Sequence, residues 1–364
     1  MSLFPSVVRL SMGSIGLLVL LAGCDYTYAD VEPELPGVVN GIDLDPLFAP
    51  ATANEILAVK ADWATRDVSV QDYRLEMTDQ ATLGGRDFEV EIVSHVVAGQ
   101  RHYGAIMTPA SATGSMPVLL YLHGGDGGVS ADGEVGFVMQ FFADLRDDFV
   151  VVVPSFRDEP LRYGGQVWQS EGPASPWNYD VDDAIALLNV AIETNDRADE
   201  DRVAAFGMSR GGAVAMLMAA RDARVDRVVE FFGPTDFFGP FVQDVAIETL
   251  QGAPSQLPGV VFMNDNYLVP LAQGELQAVD LRPQLVMRSA VLYVDDLPAV
   301  QMHHGDADTV VPVSQADHLL EAMEAAGKSA PEFEGFIYEG GEHNPVTLPG
   351  AFDRAIEFLR PLTR

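Results

Sequence analysis

Short apolar runs alternate with helical patterns over the larger, C-terminal part of the chain. The runs are rich in valine and are typical of strands buried on both faces of a parallel sheet. Strands that alternate with helices favour a mainly parallel sheet with right-handed crossovers. The predicted strands are 118–122, 150–153, 203–206, 225–232, 299–302 and 333–338, and the predicted helices are 135–145, 181–192, 211–221, 314–326 and 352–359.

The region before this alternation has a different pattern. Segments 67–77, 88–97 and 102–107 are strand-like, and glycine-containing turns lie between them. A short helix is predicted at 54–63. The sequence therefore predicts an α/β fold with a mainly parallel central sheet, antiparallel leading strands and helices on both faces.

A long segment, residues 237–289, interrupts the rhythm with scattered Gly, Pro, Asn and Gln and no good strand. A structureless loop of this length is unusual inside a compact domain, so we predict a helical lid over the C-terminal edge of the sheet, at about 237–290. Its apolar groups either line a substrate pocket or simply pack onto the domain. They are Phe237, Phe238, Phe241, Phe262, Tyr267 and Leu268.

The N-terminus has the pattern of a secretory leader, with Arg9 followed by an apolar stretch that is too short to span a membrane. The stretch ends Leu-Ala-Gly-Cys24, which resembles the bacterial lipobox. The resemblance implies lipid attachment at Cys24 and a lipid-anchored body in the cell envelope, outside the cytoplasm. An ordinary signal peptide with an incidental cysteine is the alternative. The predicted organisation is a leader at 1–23, a flexible tether at 24–50 and a folded domain at 51–364.

The composition of the chain excludes several classes of binding partner and cofactor. The formal charge is −33, from 21 basic and 54 acidic residues, so the surface should repel phosphate backbones and a nucleic-acid partner is not expected. Cys24 is the single cysteine, which excludes disulfides within the chain and cysteine-based chemistry in the body of the fold. No histidine or carboxylate group has a metal-ligand spacing, so neither a metal nor a cofactor is expected.

The segment Gly207-Met-Ser209-Arg-Gly211 lies between a predicted strand and a predicted helix. This Gly-x-Ser-x-Gly context is typical of a sharp turn that presents a nucleophilic serine. A serine nucleophile needs a general base, and the base needs an orienting carboxylate. In an open α/β sheet these groups lie on loops at the C-terminal ends of the strands, and two later loops fit.

These loops carry the resemblance to a family. The segment 304–312, His-Gly-Asp-Ala-Asp-Thr-Val-Val-Pro, and the glycine turn ending at His343 resemble the α/β-hydrolase superfamily, in particular prolyl-oligopeptidase-like and dienelactone-hydrolase-like serine hydrolases, over roughly 65–364. The resemblance implies that Asp308 is the acid and His343 the base. The order Ser209, Asp308, His343 agrees with that fold.

Other polar residues are weighed against this assignment. Asp306 should face a different direction from the acid two positions later. Asp236 follows a strand where some hydrolases carry the acid, but capping the first lid helix or shaping the pocket is the preferred interpretation. His303 and His304 are assigned to strand packing and a turn hydrogen bond, and His318 to a solvated helix face.

The oxyanion of an acyl-transfer reaction needs two donors. One predicted donor is the backbone N–H of Arg210. Among relatives a His-Gly-Gly turn supplies the other, which implies Gly125, with Gly124 and Asp126 as alternatives. His123 is expected to brace this turn. Aromatic residues in the loop 157–179 either contact substrate or fill space.

Acyl transfer to water follows from the proposed triad, through an acyl-enzyme intermediate. Peptidases of the resembled family carry a propeller ahead of the hydrolase domain, and about 40 residues between the tether and the hydrolase pattern leave no room for one. The favoured function is therefore a carboxylic-ester hydrolase. A peptidase or amidase is the alternative, and a non-catalytic envelope interaction protein is a more remote one.

Overall fold

A computed structural model describes residues 8–10, 35–145 and 147–364. Most of the predicted strands are present, and several are longer than their apolar runs. The strands are β1 (Val8–Leu10), β2 (Val38–Val39), β3 (Ile42–Asp43), β4 (Arg74–Leu83), β5 (Arg86–Val97), β6 (Gln100–Pro109), β7 (Met116–Leu122), β8 (Val129–Ser130), β9 (Val150–Pro154), β10 (Pro160–Tyr163), β11 (Gln166–Gln169), β12 (Ala198–Met208), β13 (Val225–Phe231), β14 (Ala299–Gly305) and β15 (Phe333–Tyr338).

Helices connect these strands and form the lid. They are α1 (Asp45–Phe48), α2 (Ala53–Trp63), α3 (Glu134–Met139), α4 (Tyr179–Thr194), α5 (Arg210–Ala219), α6 (Pro240–Leu250), α7 (Val260–Met263), α8 (Val269–Ala272), α9 (Ala278–Val286), α10 (Ser314–Ala325) and α11 (Ala351–Leu359). A π-helical turn, Asn264–Leu268, joins α7 to α8, and 3-10 turns occur at Gln140–Leu145, Ala290–Asp296, Pro345–Thr347 and Arg360–Thr363.

Ten strands form the central sheet in the order β1-β15-β14-β13-β12-β7-β9-β6-β5-β4. The pairs from β9 to β1 are parallel, whereas β4, β5 and β6 are antiparallel and β6 joins β9 in antiparallel register. The predicted fold class is confirmed. Because the parallel strands end at the same edge, the loops after β7, β12, β13, β14 and β15 meet there.

The core forms two layers, one on each face of the sheet. On β9, Val150 and Val152 belong to one layer while Val151 and Val153 belong to the other, as the alternation of a strand requires. Helices α4, α5, α10 and the lid cover the first layer, and α3 and α11 cover the second. Each fully buried valine or leucine contributes about 1.5–3 kcal/mol, so the strands near the site are held firmly.

The first leading strand lies further along the chain than predicted. Asp67 accepts a hydrogen bond from the backbone N–H of Ser69 at 3.0 Å, and this local turn keeps the start of the predicted strand 67–77 off the sheet. β4 instead spans Arg74–Leu83 and turns into β5 through Gly84 and Gly85, which both have positive φ.

The second half of the predicted tether is part of the folded domain. We call residues 37–50 the N-terminal strap; it contains the β2–β3 hairpin and α1. Leu44, Leu47 and Phe48 are buried in the core layer that includes the lid. The tether prediction is therefore wrong for the strap, because the Pro- and Gly-rich composition conceals these apolar anchors. Cys24 lies outside the described residues, as does the predicted leader except for β1, which pairs with the sheet edge.

The predicted helical lid is confirmed and consists of α6 to α9 with the connecting turns. In the part of the chain that the structure describes, we find no helix with the length and hydrophobicity needed to cross a membrane.

Candidate active site

Ser209 lies in the sharp turn between β12 and α5. Its φ of +54° is unfavourable for a residue with a Cβ, and such strain persists only where the surroundings impose it. The backbone N–H of Ser209 donates to the carbonyl of Phe231 at 2.8 Å. A Cβ at Gly211 would stand 1.9 Å from the carbonyl oxygen of Leu122, so only glycine permits this approach of helix and strand.

The structure brings the three sequence-predicted residues into one hydrogen-bonded chain. Ser209 Oγ lies 2.9 Å from His343 Nε2, and His343 Nδ1 lies 2.7 Å from Asp308 Oδ2. The other carboxylate oxygen of Asp308 accepts the backbone N–H groups of Val310 and Val311. With its proton on Nδ1, His343 donates to Asp308 and leaves Nε2 to accept from the serine hydroxyl.

The surroundings keep Asp308 ionised. Burial raises the pKa of its carboxyl, but the hydrogen bonds from His343 and from the backbone outweigh that effect and hold the pKa below its usual range. Asp306, the competing acid, is exposed and accepts the backbone N–H of Gly340 instead. Of the two carboxylates, Asp308 is therefore the one that contacts His343.

The predicted oxyanion turn lies beside the serine. Gly124 and Gly125 line the same cavity as Ser209, and a Cβ on Gly124 would stand 3.1 Å from the Cβ of Ser209. Gly125 has a φ of +72°. His123 is buried and its Nδ1 donates to the carbonyl of Gly124 at 3.0 Å, while burial lowers its pKa to about 4. A neutral His123 thus braces the turn.

The Arg210 side chain organises the site in a way that the sequence did not indicate. Its guanidinium is buried and forms a fork with both carboxylate oxygens of Asp180, at 2.7 and 2.8 Å. It also donates to the carbonyl of Gly125 at 3.0 Å and pairs with Glu159. Glu159 in turn accepts the backbone N–H of Gly128 at 3.1 Å. Arg210 therefore connects the turn at Ser209 (the nucleophile turn) to Gly125 and, through Glu159, to Gly128. These two glycines lie in the loop after β7, residues 123–128, which we call the oxyanion turn.

Asp236 and His318 form a pair that the sequence interpretation missed. His318 Nδ1 lies 2.6 Å from Asp236 Oδ2, and this hydrogen bond raises the pKa of His318. Asp236 also accepts the backbone N–H of Phe238, and α6, whose N-cap is Gly239, has no side-chain cap. The prediction that Asp236 caps α6 is therefore wrong, whereas its alternative role in shaping the pocket stays a prediction. His318, expected to be solvated, is instead partly buried and paired with Asp236, and the pair links the start of the lid to α10.

The adjacent histidines of β14 have structural partners. His303 bonds Tyr338 and Gln301, and His304 Nε2 bonds the carbonyl of Val311 at 2.8 Å. Among residues 8–10, 35–145 and 147–364, no three His, Cys, Asp or Glu side chains are grouped to hold a metal ion.

A cavity of about 380 Å³ opens next to Ser209 under the lid. Its wall is mainly apolar. Of the candidate lid residues, Phe237, Phe241, Tyr267 and Leu268 line it, whereas Phe262 packs edge-on against Tyr267 at 5.9 Å. Phe238 lies under the guanidinium of Arg282.

Apolar residues from outside the lid also line the cavity. Trp177, from the loop 157–179, packs edge-on against Phe237 at 5.2 Å, so this aromatic of the loop faces the cavity. Leu47 and Phe48 of the N-terminal strap also line it. The sequence signal for the strap is the apolar spacing Leu44, Leu47, Phe48, which is one face of a short helix.

Other polar or aromatic residues of the loop 157–179 pack elsewhere. Arg157 pairs with Asp183, Tyr163 bonds Asp79, and the ring of Tyr179 contacts two guanidinium groups.

Several hydrolases of known structure share the fold of this chain. Acetyl xylan esterase 1 from Thermoanaerobacterium sp. JW/SL YS485 is 18% identical, with a TM-score of 0.63 over 86% of this chain and 95% of that one. The acetyl xylan esterase from Paenibacillus sp. R4 is 15% identical, with a TM-score of 0.56 over 87% and 98%. A puromycin-hydrolyzing peptidase of Mycobacterium tuberculosis is 17% identical, with a TM-score of 0.50 over 78% of this chain and 39% of the peptidase.

The chain belongs to the BD-FAE family, whose model matches residues 105–323, more than half of its length. No curated protein has significant sequence similarity to the chain. The matched range begins in β6 and ends in α10, so it includes Ser209, Asp308 and the lid but not His343.

Proposed function

We propose that this protein is a serine hydrolase that cleaves carboxylic esters through an acyl-enzyme intermediate. The observation that carries the proposal is the hydrogen-bonded chain from Ser209 through His343 to Asp308, which begins in a strained strand-to-helix turn. A base within hydrogen-bond reach of the serine, itself oriented by a carboxylate, is the arrangement that activates a hydroxyl nucleophile.

In the proposed reaction, Ser209 Oγ attacks the ester carbonyl while His343 Nε2 removes its proton. The oxyanion that forms accepts hydrogen bonds from the backbone N–H of Arg210 and of Gly125, with Gly124 adjacent. His343 then protonates the leaving alcohol, and the serine ester remains. A water activated by His343 hydrolyses that ester and returns the proton to Ser209. The loss of one oxyanion donor typically raises the barrier by about 3 kcal/mol.

The ester assignment is supported by the two acetyl xylan esterases that resemble this chain over nearly their whole lengths. A peptidase of the prolyl-oligopeptidase type is the second candidate, and the similarity to the puromycin-hydrolyzing peptidase favours it. Incubation with a peptide library, read by mass spectrometry, separates the two. Cleavage of internal peptide bonds at rates above those for simple esters would overturn the ester assignment.

We also propose that Cys24 carries a lipid that anchors the enzyme to a membrane of the bacterial cell envelope, facing outside the cytoplasm. The Leu-Ala-Gly-Cys pattern and the single cysteine support this. A surface with a formal charge of −33 would not otherwise adsorb to anionic lipid. In cell fractionation, Cys24→Ala should move to the soluble fraction. Unchanged membrane association would count against lipidation.

The catalytic proposal has a direct test. The full-length protein in detergent should hydrolyse p-nitrophenyl esters and react covalently with a fluorophosphonate probe, and Ser209→Ala should lose both activities. A protein that is folded yet inert to the probe and to all esters would instead be the non-catalytic envelope interaction protein.

A further inference from the structure

The cavity beside Ser209 has one enclosed side. The lid residues that line it there are buried: Phe237, Val245, Met263, Leu281 and Leu285 are all less than one-tenth exposed. Gln284 is a polar member of the wall, but its amide oxygen already accepts hydrogen bonds from Tyr267 and Arg288. This side of the cavity therefore offers a substrate mainly apolar contact.

The edge of the cavity around His343 meets solvent. Glu342, Asn344 and Val346, which flank His343 in the chain, are exposed, and Val346 is 55% exposed. His343 is the group that protonates the leaving alcohol, so the alcohol departs on the side that meets solvent. The acyl group remains bonded to Ser209 until water attacks, and the enclosed side is where it would be retained.

We propose that the substrate is an ester of an apolar acyl group considerably longer than acetyl, which occupies the cavity between the lid and the N-terminal strap. This inference rests on the proposed ester-hydrolase function and names its substrate class. A cavity of about 380 Å³ falls in the size range of sites that enclose a drug-sized ligand and is far larger than a methyl group requires. An acetyl group would leave most of this apolar wall without contacts.

The apolar wall also predicts how kcat/KM should depend on the length of the acyl chain. Each methylene that enters the cavity should raise kcat/KM by about fourfold, the factor that corresponds to ~0.8 kcal/mol for each buried CH₂. The gain should stop when the acyl chain fills the cavity, whose wall includes Leu47 and Phe48 of the strap. The strap is held there by Arg282 of α9, which donates to the carbonyls of Pro46, Leu47 and Ala49.

The experiment compares p-nitrophenyl acetate, butyrate and octanoate on the full-length protein, with fluorophosphonate labelling of Ser209 as a separate readout. We expect kcat/KM to rise at least about tenfold from acetate to octanoate. If the wild-type protein reacts with the fluorophosphonate probe but prefers acetate, this inference is wrong and the hydrolase proposal stands. If the wild-type protein does not react with the probe, the hydrolase proposal itself is overturned. In a second series, acetate esters of alcohols of increasing length, kcat/KM should not change with the length of the alcohol. An increase of kcat/KM in this series instead would show that the cavity holds the alcohol and would overturn the acyl assignment.

Variants in the lid locate the effect. Val242→Phe fills the cavity and should lower the ratio of octanoate to acetate activity at least about tenfold, and Val260→Phe provides a second, independent obstruction. Val279→Phe adds the same volume at a lid position that is 72% exposed and does not line the cavity, so its ratio should equal that of wild type. If both cavity variants remain folded and keep the wild-type ratio, the inference is wrong.

Discussion

Arg210 and Asp180 form a buried two-point ion pair, with guanidinium Nε and Nη2 at 2.7 and 2.8 Å from the two carboxylate oxygens. Because the same guanidinium holds the carbonyl of Gly125, the pair fixes the distance between the nucleophile turn and the oxyanion turn. In the proposed reaction Arg210 thus has two separable contributions, a backbone N–H at the oxyanion and a side chain that positions the second donor.

Arg210→Lys should separate these contributions. Lysine keeps the charge and the backbone N–H but cannot form the fork, so the oxyanion turn should loosen. We expect kcat to fall by about 10- to 100-fold with a smaller change in KM, because a donor displaced from the transition state affects chemistry more than binding. Steady-state kinetics with esters and the rate of fluorophosphonate labelling measure this.

Arg157→Lys is the matched control. Arg157 forms an equally buried two-point pair with Asp183, but the pair makes no contact with Gly125. This variant should lose a similar amount of thermal stability and keep its kcat. Equal losses of kcat in both variants would mean that Arg210 acts only through general stability.

Asp308→Asn should reduce kcat by about three to four orders of magnitude, because an amide at this position no longer holds the proton of His343 on Nδ1. The backbone N–H groups of Val310 and Val311 should still bond the amide oxygen, so the fold should persist. Asp306→Asn, two positions earlier, should retain nearly full kcat because its side chain bonds Gly340 and not His343. Ester kinetics and thermal melting of both variants provide the measurement, and a comparable loss in Asp306→Asn would reopen the choice of acid.

The sequence was sufficient for the parts of the site that depend on local patterns. The glycines on either side of Ser209 indicate the sharp turn that presents it. Asp308 and His343 follow apolar strands, and the ends of these strands must share one edge of a parallel sheet. The start of the first leading strand could not be predicted in this way, because the turn at Asp67 depends on a side-chain hydrogen bond that apolar alternation does not reveal.

The contacts that the sequence could not indicate are those between distant segments. The Arg210 fork joins residues 30 positions apart, and the clamp from Arg282 to Pro50 joins residues 232 positions apart. Pairing of this kind depends on tertiary packing, which no window of sequence contains. The N-terminal strap likewise resembles a free tether in sequence, because the apolar spacing of Leu44, Leu47 and Phe48 indicates a short helix but not the segment against which it packs.

Glu230 should make stability depend on pH. It is fully buried behind the nucleophile turn, where one carboxyl oxygen accepts the N–H of Gly233 at 2.8 Å and the other has no partner among the described residues. Burial raises its pKa from 4.5 to about 8. The folded chain therefore holds this proton more tightly than the unfolded chain, and the stabilising contribution, complete below about pH 4.5, is lost as the pH rises through about 8.

Glu230→Gln, which cannot ionise, should remove that dependence. Its Tm should match wild type near about pH 4.5 and exceed it by several degrees near about pH 9. Glu248→Gln, an exposed change of the same kind on α6, is the matched control for the loss of a surface carboxylate. A Tm difference for Glu230→Gln that is constant across this range would show that the buried carboxyl does not titrate as described.

Arg282 should determine whether the N-terminal strap stays on the lid. Its guanidinium donates to four carbonyls of the strap and pairs with both oxygens of Glu55, whose pKa it lowers to about 2. Glutamine cannot satisfy these acceptors together, so Arg282→Gln should release the strap and withdraw Leu47 and Phe48 from the cavity. The variant should melt cooperatively, be cut faster by protease within residues 37–50, and lose part of its preference for octanoate over acetate.

Lys60→Gln is the comparison, because the Lys60–Asp296 pair also bridges distant segments but is more than one-third exposed on both sides. Exposed pairs contribute about 0–1 kcal/mol, so this variant should resist protease as wild type does. If Arg282→Gln were as resistant as Lys60→Gln and kept the wild-type acyl preference, the burial of Leu44, Leu47 and Phe48 alone would hold the strap. The clamp would then be a consequence of that packing and not its cause.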